Sequence, residues 1–267
     1  QHSKATPEEL ASKWNIGLQT AKDTICVMTQ RRIRTAVHPM TRRVRVDHLN
    51  LHRQRLKGTW FADTLLLKVK SKLGNTCANV YTQGKFTRVI PMTSRKDAGK
   101  SLIDFTDDVG IPERLITDGV TEFTGRHTEF VKEARRMRIM LHTTEQGRKN
   151  QNHAAEREIG FLAKQWKLRM MKKKVPKRLW HFGLVVYESE LLSRMARGGD
   201  HRTGYEEVTG QTPDISKWLD FEFYDLVWWL DRPTKPNFTD NTLISMLAWR
   251  IALSWIRPEL LAHYREW

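Results

Sequence analysis

The stretch Ile111-Pro-Glu-Arg-Leu-Ile-Thr-Asp-Gly-Val-Thr-Glu-Phe123 decides how the rest of the chain is interpreted. Leu115 and Ile116 predict a short apolar strand, and Thr117-Asp118-Gly119 ends it. A carboxylate, Asp118, therefore projects from the end of a strand.

Two more acids extend this pattern. Asp63 lies within a predicted apolar strand, Trp60 to Val69, and Glu156 lies at the start of a predicted long helix. Mg²⁺ prefers oxygen ligands, and a shared carboxylate can hold two ions about 3.5–4 Å apart around one phosphate. Three acids from two strands and one helix therefore predict a two-metal phosphoryl-transfer site.

Three segments in a fixed order carry a family resemblance. They are Trp60-x-x-Asp63, Gly110-Ile-Pro-(x)5-Asp118-(x)3-Glu122-Phe123 and Asn152-(x)3-Glu156-Arg157. Together they resemble the integrase core of retroviruses and LTR retrotransposons, most of all the copia-type Pol polyprotein, over roughly residues 58 to 200. The segment Tyr205 to Pro213 resembles the copia-type sequence just past that core.

The resemblance implies a polynucleotidyl transferase that processes DNA ends and joins them to target DNA. Two Mg²⁺ or Mn²⁺ ions per site are implied, with Asp63 bridging both, Asp118 on one and Glu156 on the other. It also implies DNA as partner and a homo-oligomer, with no membrane, no small-molecule substrate and no further bound cofactor. The implied location is nuclear during action and cytoplasmic during element assembly.

Two other functions remain open at this stage. One is a catalytically inactive nucleic-acid-binding module of the same fold, from a decayed element. The other is a ribonuclease H-type nuclease, which usually has a fourth acid nearby. Within the chain, Gly119 stands where the family usually has Asn, and Glu158 competes with Glu156 for the third acidic position.

Composition favours a polyanionic partner. The formal net charge is +16 with a pI near 10, which exceeds what solubility requires. A merely basic, ribosome-like surface is the alternative. Cys26 and Cys77 lie far apart, so neither a disulfide framework nor a zinc site is predicted. We see no signal peptide or membrane-length apolar run, and expect a soluble intracellular chain.

The order of elements predicts an α/β protein with an RNase H-like mixed five-stranded sheet and flanking helices. The predicted strands are Trp60 to Val69, Asn75 to Thr82, Phe86 to Met92, Glu113 to Thr117 and Ile139 to Thr143, and the predicted helices are Ser94 to Asp108, His127 to Met137, Asn152 to Met171 and Leu179 to Met195. Residues 145–152 are expected to form a mobile loop. Neighbouring first and fourth strands would bring Asp63 and Asp118 together.

We expect three regions: 1–57, 58–200 and 201–267. In the first, Thr6 is a predicted N-cap of a small helix-turn-helix-like unit. A basic linker follows, and we predict that Arg42 and Arg43 within it contact nucleic-acid phosphates. The second is the catalytic core, with Gly58 at its boundary. The third is a short, partly degenerate β/helical extension, with a strand at Phe221 to Trp229 and a helix at Leu243 to Ile256.

The helix that carries Glu156 has two predicted faces. An apolar stripe should face the core, and consists of Ala155, Ile159, Leu162, Trp166 and Met170. Lys167 lies about 20° around the helix from Glu156, and Lys164 about 80°. A basic run follows and includes Lys172, Lys173 and Lys174, so we predict that Lys164, Lys167 and these three lysines contact nucleic acid. The segment Lys172 to Arg178 also matches a short nuclear localisation signal.

Overall fold

The computed structural model describes residues 5–30, 53–125, 127–144, 153–198, 201–230 and 243–246. The chain divides into two compact units, Gln1–Leu219 and Asp220–Trp267. These units do not coincide with the three ranges expected from the sequence. The N-terminal helices and residues 201–219 belong to the same compact unit as the predicted core. Arg42, Arg43 and the expected loop at 145–152 lie outside the described residues.

The first unit combines five strands with flanking helices. The strands are β1 (Arg55–Leu66), β2 (Cys77–Gln83), β3 (Phe86–Met92), β4 (Ile111–Thr117) and β5 (Met140–Thr143). The helices are α1 (Pro7–Trp14), α2 (Leu18–Val27), α3 (Ala98–Asp108), α4 (Thr121–Thr124), α5 (Glu129–Arg136), α6 (His153–Lys173), α7 (Ser189–Arg194), α8 (Gly204–Thr209) and α9 (Lys217–Asp220).

The sheet has the strand order β3-β2-β1-β4-β5. The pairs β1–β2 and β2–β3 are antiparallel, while β1–β4 and β4–β5 are parallel. Three antiparallel strands followed by two parallel ones reached through helices are the arrangement of the RNase H-like fold. The predicted fold class is therefore confirmed.

The predicted boundary at Gly58 is a bulge inside β1. The strand begins at Arg55, which pairs with Ile111, and its register with β4 shifts between Leu56 and Thr59. Gly58 has φ +85 there, a conformation that glycine adopts without steric cost. The glycine was read as a break because a bulge glycine and a linker glycine look alike in sequence.

One face of the sheet packs against α3 and α5. Trp60, Ala62 and Leu115 share this core with Phe105 of α3 and Phe130 of α5. Trp60 meets the edge of Phe105 with ring centroids 5.2 Å apart. This core fixes the inward-facing residues of β1 and β4, and strand alternation then sends their neighbours to the opposite face.

The opposite face carries α6, which is a single helix as predicted. Ala155, Leu162 and Trp166 of the predicted stripe are buried, whereas Ile159 and Met170 are half-buried. The same face also buries polar side chains that the predicted stripe did not include, namely Glu158, Gln165 and Arg169.

The predicted helix at Leu179 to Met195 is not one regular helix. A 3-10 turn (Lys177–Leu179) leads into a π-helical segment (His181–Glu188), and α7 follows. A Cβ on Gly183 would lie 1.9 Å from the Trp166 ring, so only glycine permits this close packing. Widened helical turns of this kind are not visible in a 3.6-residue pattern.

A buried ion pair joins α6 to this π-helical segment. Arg169 is fully buried and pairs with Glu188, whose side chain is also buried. The Arg169 guanidinium also donates to the carbonyl of Lys13 over 3.2 Å and lies over the Tyr187 ring. Burial raises the pKa of Glu188, and the charge of Arg169 acts in the opposite direction. Charged groups are tolerated in a core when they are paired in this way.

The two N-terminal helices pack on the rest of the first unit. Thr6 caps α1 in a capping box with Glu9, as predicted. Trp14 is buried and donates to the carbonyl of Trp218 over 3.4 Å. On α2, Thr24 is buried and accepts from the amide of Ala196. The helix-turn-helix-like arrangement predicts that α2 enters a groove of DNA, and this stays a prediction. The one basic residue of α2 is Lys22.

In the second unit, β6 (Val227–Leu230) pairs antiparallel with β7 (Leu243–Met246). The predicted strand at Phe221 to Trp229 begins later than expected, because a turn precedes it in which Asp225 accepts from the amide of Glu222. The predicted helix at Leu243 to Ile256 is wrong over its described part, which is β7. Apolar runs this short do not separate helix from strand by composition alone. None of the described helices is long and apolar enough to cross a membrane.

Candidate active site

The register between β1 and β4 places two predicted acids side by side. Ala62 of β1 pairs with Thr117 of β4 in the parallel ladder. Asp63 and Asp118 are the next residue on each strand, so they occupy adjoining positions where β4 ends. Strands in a sheet lie about 4.8 Å apart, which keeps these two backbones close.

Both acids face the side of the sheet that carries α6. Asp63 pairs with Val80 in the antiparallel ladder, and Thr82 pairs with Thr87 one step along the same face. The Thr87 hydroxyl donates to Glu158 of α6 over 3.4 Å, which identifies the face. The carboxylate of Asp63 therefore shares a face with the helix that carries the third predicted acid.

Local hydrogen bonds orient the two aspartates. Asp63 Oδ1 accepts from the amide of Thr64 over 2.7 Å. Asp118 Oδ1 accepts from the amide of Gly119 over 2.6 Å and from the hydroxyl of Thr144 over 3.4 Å. Asp63 is half-buried and Asp118 is exposed, so solvent-borne ligands can reach both.

Glu156 lies in the first turn of α6 and is exposed. The positive end of the helix dipole favours a carboxylate in this position. Across the described residues, however, no three His, Cys, Asp or Glu side chains are close enough together to hold a metal ion. The structure brings Asp63 and Asp118 together and leaves the assembly of all three acids as a prediction.

Glu158 has a different role from Glu156. It is only 3% exposed, and its carboxylate accepts from Arg197 and from Thr87 on β3. β3 lies three strands from β4 in the sheet, which corresponds to about 14 Å. Glu158 therefore serves an internal ion pair away from Asp118, and the role of Glu156 as the third acid stays a prediction.

The lysines on and just after α6 that we predict to contact nucleic acid differ in exposure and in hydrogen bonding. Lys164 and Lys167 are exposed, as a contact surface requires. Lys172 is also exposed, but its ammonium donates to the carbonyl of Ser12 over 2.8 Å and so helps to hold α1. Lys173 is half-buried, and Lys174 is exposed just after the helix ends.

The connection between β1 and β2 supplies basic residues that the sequence analysis missed. Lys68, Lys70 and Lys72 are exposed, and no acid occurs from Thr64 to Lys96. Alternating lysines in an acid-free stretch were the available signal. The predicted strand extends to Val69, whereas β1 ends at Leu66, so part of this connection was expected to be strand.

The strand order defines an RNase H-like α/β core. Its structure is similar to the catalytic core domain of BIV integrase, with 13% sequence identity and a TM-score of 0.44 over 57% of this chain and 93% of that one. It is also similar to the HTLV-2 integrase catalytic core domain in complex with magnesium, with 14% identity and a TM-score of 0.40 over 56% and 95%.

A third similar structure is the simian T-cell lymphotropic virus intasome in complex with PP2A regulatory subunit B56 gamma. The identity is 16% and the TM-score 0.39, over 67% of this chain and 68% of that one. No protein-family model and no curated protein matches the chain. The fold class follows from the strand order, and function is argued from the site itself.

Proposed function

We propose that this chain is an integrase-type polynucleotidyl transferase that processes DNA ends and joins them to target DNA. The observation that carries the proposal is the pairing of Ala62 with Thr117, which sets Asp63 and Asp118 in adjoining positions on the face that carries α6. The high positive charge supports DNA as the substrate. A copia-type retrotransposon origin and homo-oligomeric action in the nucleus are part of the same proposal.

The donor set suits divalent metal ions. Asp63, Asp118 and Glu156 offer carboxylate oxygens, which Mg²⁺ and Mn²⁺ prefer, and the adjoining strand positions of the two aspartates fit a shared ion. When bound there, such ions supply activation of the attacking oxygen and neutralisation of the leaving oxygen.

The chain's own groups have separate tasks in this proposal. The hydrogen bonds from Gly119 and Thr144 hold the Asp118 carboxylate in a fixed orientation. Lys167 lies about 16 Å along α6 from Glu156, too far to act at the reacting phosphate. We therefore assign Lys164 and Lys167 to the DNA backbone away from the reacting bond, where they position the substrate.

A strand-transfer assay with Mg²⁺ and short duplexes that end in element sequences tests the function. We expect Asp63→Asn, Asp118→Asn and Glu156→Gln each to abolish cleavage and joining while DNA binding persists. Glu113→Gln is the matched control, because Glu113 is exposed on the same strand as Asp118 but near its other end. Full activity in the Asn variants would show that the site is misassigned.

The same assay distinguishes the proposed function from the two alternatives. DNA binding without turnover in the wild-type chain would identify an inactive nucleic-acid-binding module. Cleavage confined to the RNA strand of an RNA–DNA hybrid would identify a ribonuclease H-type nuclease.

A further inference from the structure

Two acid-free segments of the chain meet on the surface of the first unit. One is the connection from β1 to β2, and the other follows α6. No Asp or Glu occurs from Thr64 to Lys96 or from Ile159 to Tyr187. Where the two segments meet, their exposed side chains form a surface that we name the basic platform, consisting of Lys68, Lys70, Lys72, Lys174, Lys177 and Arg178.

Hydrogen bonds fasten the two halves of the basic platform together. The amide of Lys72 donates to the carbonyl of Arg178 over 2.9 Å. The indole of Trp180 donates to the carbonyl of Val69 over 2.8 Å. Deeper in the structure, Asn75 Nδ2 lies 2.8 Å from His181 Nδ1. Trp180 is almost fully buried, so these bonds belong to the packed interior and keep the platform rigid.

The cations of the platform are available to a ligand. Lys68, Lys70, Lys174, Lys177 and Arg178 are exposed, and in the described part of the chain none of the five pairs with an acid. Exposed cations that are held close together without counter-charges repel one another, so a dense array of anions is stabilising there.

We propose that the basic platform binds the phosphodiester backbone of duplex DNA outside the reacting bond. Duplex DNA carries about one negative charge per 1.7 Å of axis, and a rigid surface with several cations and no anions fits such a polyanion without reading its sequence. This inference rests on the proposed function for the direction of the DNA, but the binding itself does not need the metal site.

The platform lies within reach of DNA at the candidate active site. Lys68 follows Asp63 by five residues, so their Cα atoms are at most about 17 Å apart. One turn of duplex DNA is about 34 Å long. A duplex that has one phosphate at Asp63 and runs towards Lys68 therefore reaches the platform within about half a turn.

The structure also bears on the nuclear localisation signal read at Lys172 to Arg178. Lys172 and Lys173 lie within α6, Val175 is buried, and the carbonyl of Arg178 accepts from Lys72. A receptor that reads an extended peptide would have to pull this segment out of the fold. A folded surface that contacts DNA uses the same charges without unfolding.

The test compares two triple variants of the full chain in a metal-free DNA-binding titration at several salt concentrations. The first is Lys68→Glu with Lys70→Glu and Lys177→Glu. The control is Lys96→Glu with Lys100→Glu and Lys132→Glu, whose lysines are exposed near or on α3 and α5. Both change the net charge equally. Circular dichroism confirms folding, and Gln replaces Glu in either set that does not fold.

We expect the platform variant to lose about tenfold or more in affinity for a long duplex, and its slope of log K against log salt to fall by roughly 3. The control variant should lose less than about threefold. Equal losses in both variants, or none in the platform variant, would overturn the proposal. So would a loss of binding to polyglutamate without a loss of binding to DNA, which would assign the platform to acidic proteins.

Because the titration contains no metal, its outcome is separate from that of the strand-transfer assay. If the wild-type chain shows no cleavage but the platform variant alone loses DNA binding, the proposed function fails and this inference stands. If cleavage requires Asp63 and Asp118 but the platform variant binds as the wild type does, the inference fails and the proposed function stands.

Discussion

Arg197 holds Glu158 in the interior of the first unit, with Arg197 Nη1 2.9 Å from Glu158 Oε2. Arg197 Nη2 also donates to the carbonyl of Lys85 over 2.8 Å, which ties the pair to the turn between β2 and β3. Glu158 follows Glu156 by two residues on α6. The ion pair therefore sets the rotation of the helix turn that carries the third candidate acid.

Loss of this ion pair should be costly. Arg197→Met leaves the Glu158 carboxylate buried without its guanidinium, and we expect the free energy of unfolding to fall by about 3 kcal/mol, measured by urea denaturation. Arg157→Ala is the control. Arg157 lies 3.7 Å from Glu158 but is 63% exposed, so its loss should cost less than about 1 kcal/mol. Equal losses would mean that the pair with Arg197 has no special role.

Replacement of two glycines by alanine should change the free energy of unfolding in opposite directions. Gly183→Ala places a Cβ 1.9 Å from the Trp166 ring, and we expect the free energy of unfolding to fall by about 1–3 kcal/mol. Gly160→Ala meets no atom within 4 Å in the interior of α6, and we expect stability to rise by about 0.5–1 kcal/mol. Thermal or urea unfolding of both variants checks this, and two shifts of the same sign would contradict it.

Substitutions at two adjacent residues of α6 should have different effects, one on DNA binding and the other on folding. Lys167 is exposed, so Lys167→Glu should weaken DNA binding and leave the circular dichroism spectrum unchanged. Trp166 is 4% exposed, so Trp166→Lys should unfold the first unit by burying an unpaired charge. A titration and a melting curve for each variant decide the point. If Lys167→Glu unfolds the protein and Trp166→Lys does not, the helix is rotated and Glu156 is misplaced.

His181 should make stability depend on pH. Burial lowers the pKa of His181 from 6.5 to about 4, and the bond from Asn75 Nδ2 requires an unprotonated Nδ1. Between these two values the unfolded chain binds a proton that the folded chain does not. The contribution of His181 to the free energy of unfolding is therefore fully present above pH 6.5. It falls by about 3 kcal/mol as the pH is lowered to about 4.

Urea unfolding near neutral pH and near pH 4.5 measures this effect. His181→Gln should reduce the difference in stability between the two conditions. His142→Gln, at an exposed position, should leave the difference as in the wild type. If His181→Gln and the wild type lose the same stability on acidification, the histidine is not responsible.

Local patterns predicted most of the sheet. The bounds predicted for β3, Phe86–Met92, are those observed, and the turn at Gln83-Gly84 marks the start of the strand. The adjoining positions of Asp63 and Asp118 also followed from the order of the strands. Such features depend on residues close in the chain or on a topology with few alternatives.

Features that depend on distant partners could not be predicted. Glu158 is not part of the predicted apolar stripe, because charged residues usually lie on the surface, yet it is buried and Arg197 pairs with it from 39 positions away. Arg169 was likewise unexpected inside, because its partner Glu188 belongs to a π-helical segment without a sequence pattern of its own. The closeness of Lys72 to Arg178 depends on a backbone hydrogen bond between two distant segments and not on any periodicity.

The contacts that α1 and Thr29 make with residues 213–219 also affect the order in which the protein folds during translation. Lys13 donates to the carbonyl of Leu219, 206 positions later, and Thr29 donates to the carbonyl of Pro213, 184 positions later. At ~5–20 residues per second, a ribosome takes about 10–40 s to make the intervening chain. During that time Trp14 has no finished surface to cover its ring. Arg169 and Lys172 of α6 can hold α1 earlier. The contacts of Lys13, Trp14 and Thr29 are complete only after residues 213–219 have left the ribosome.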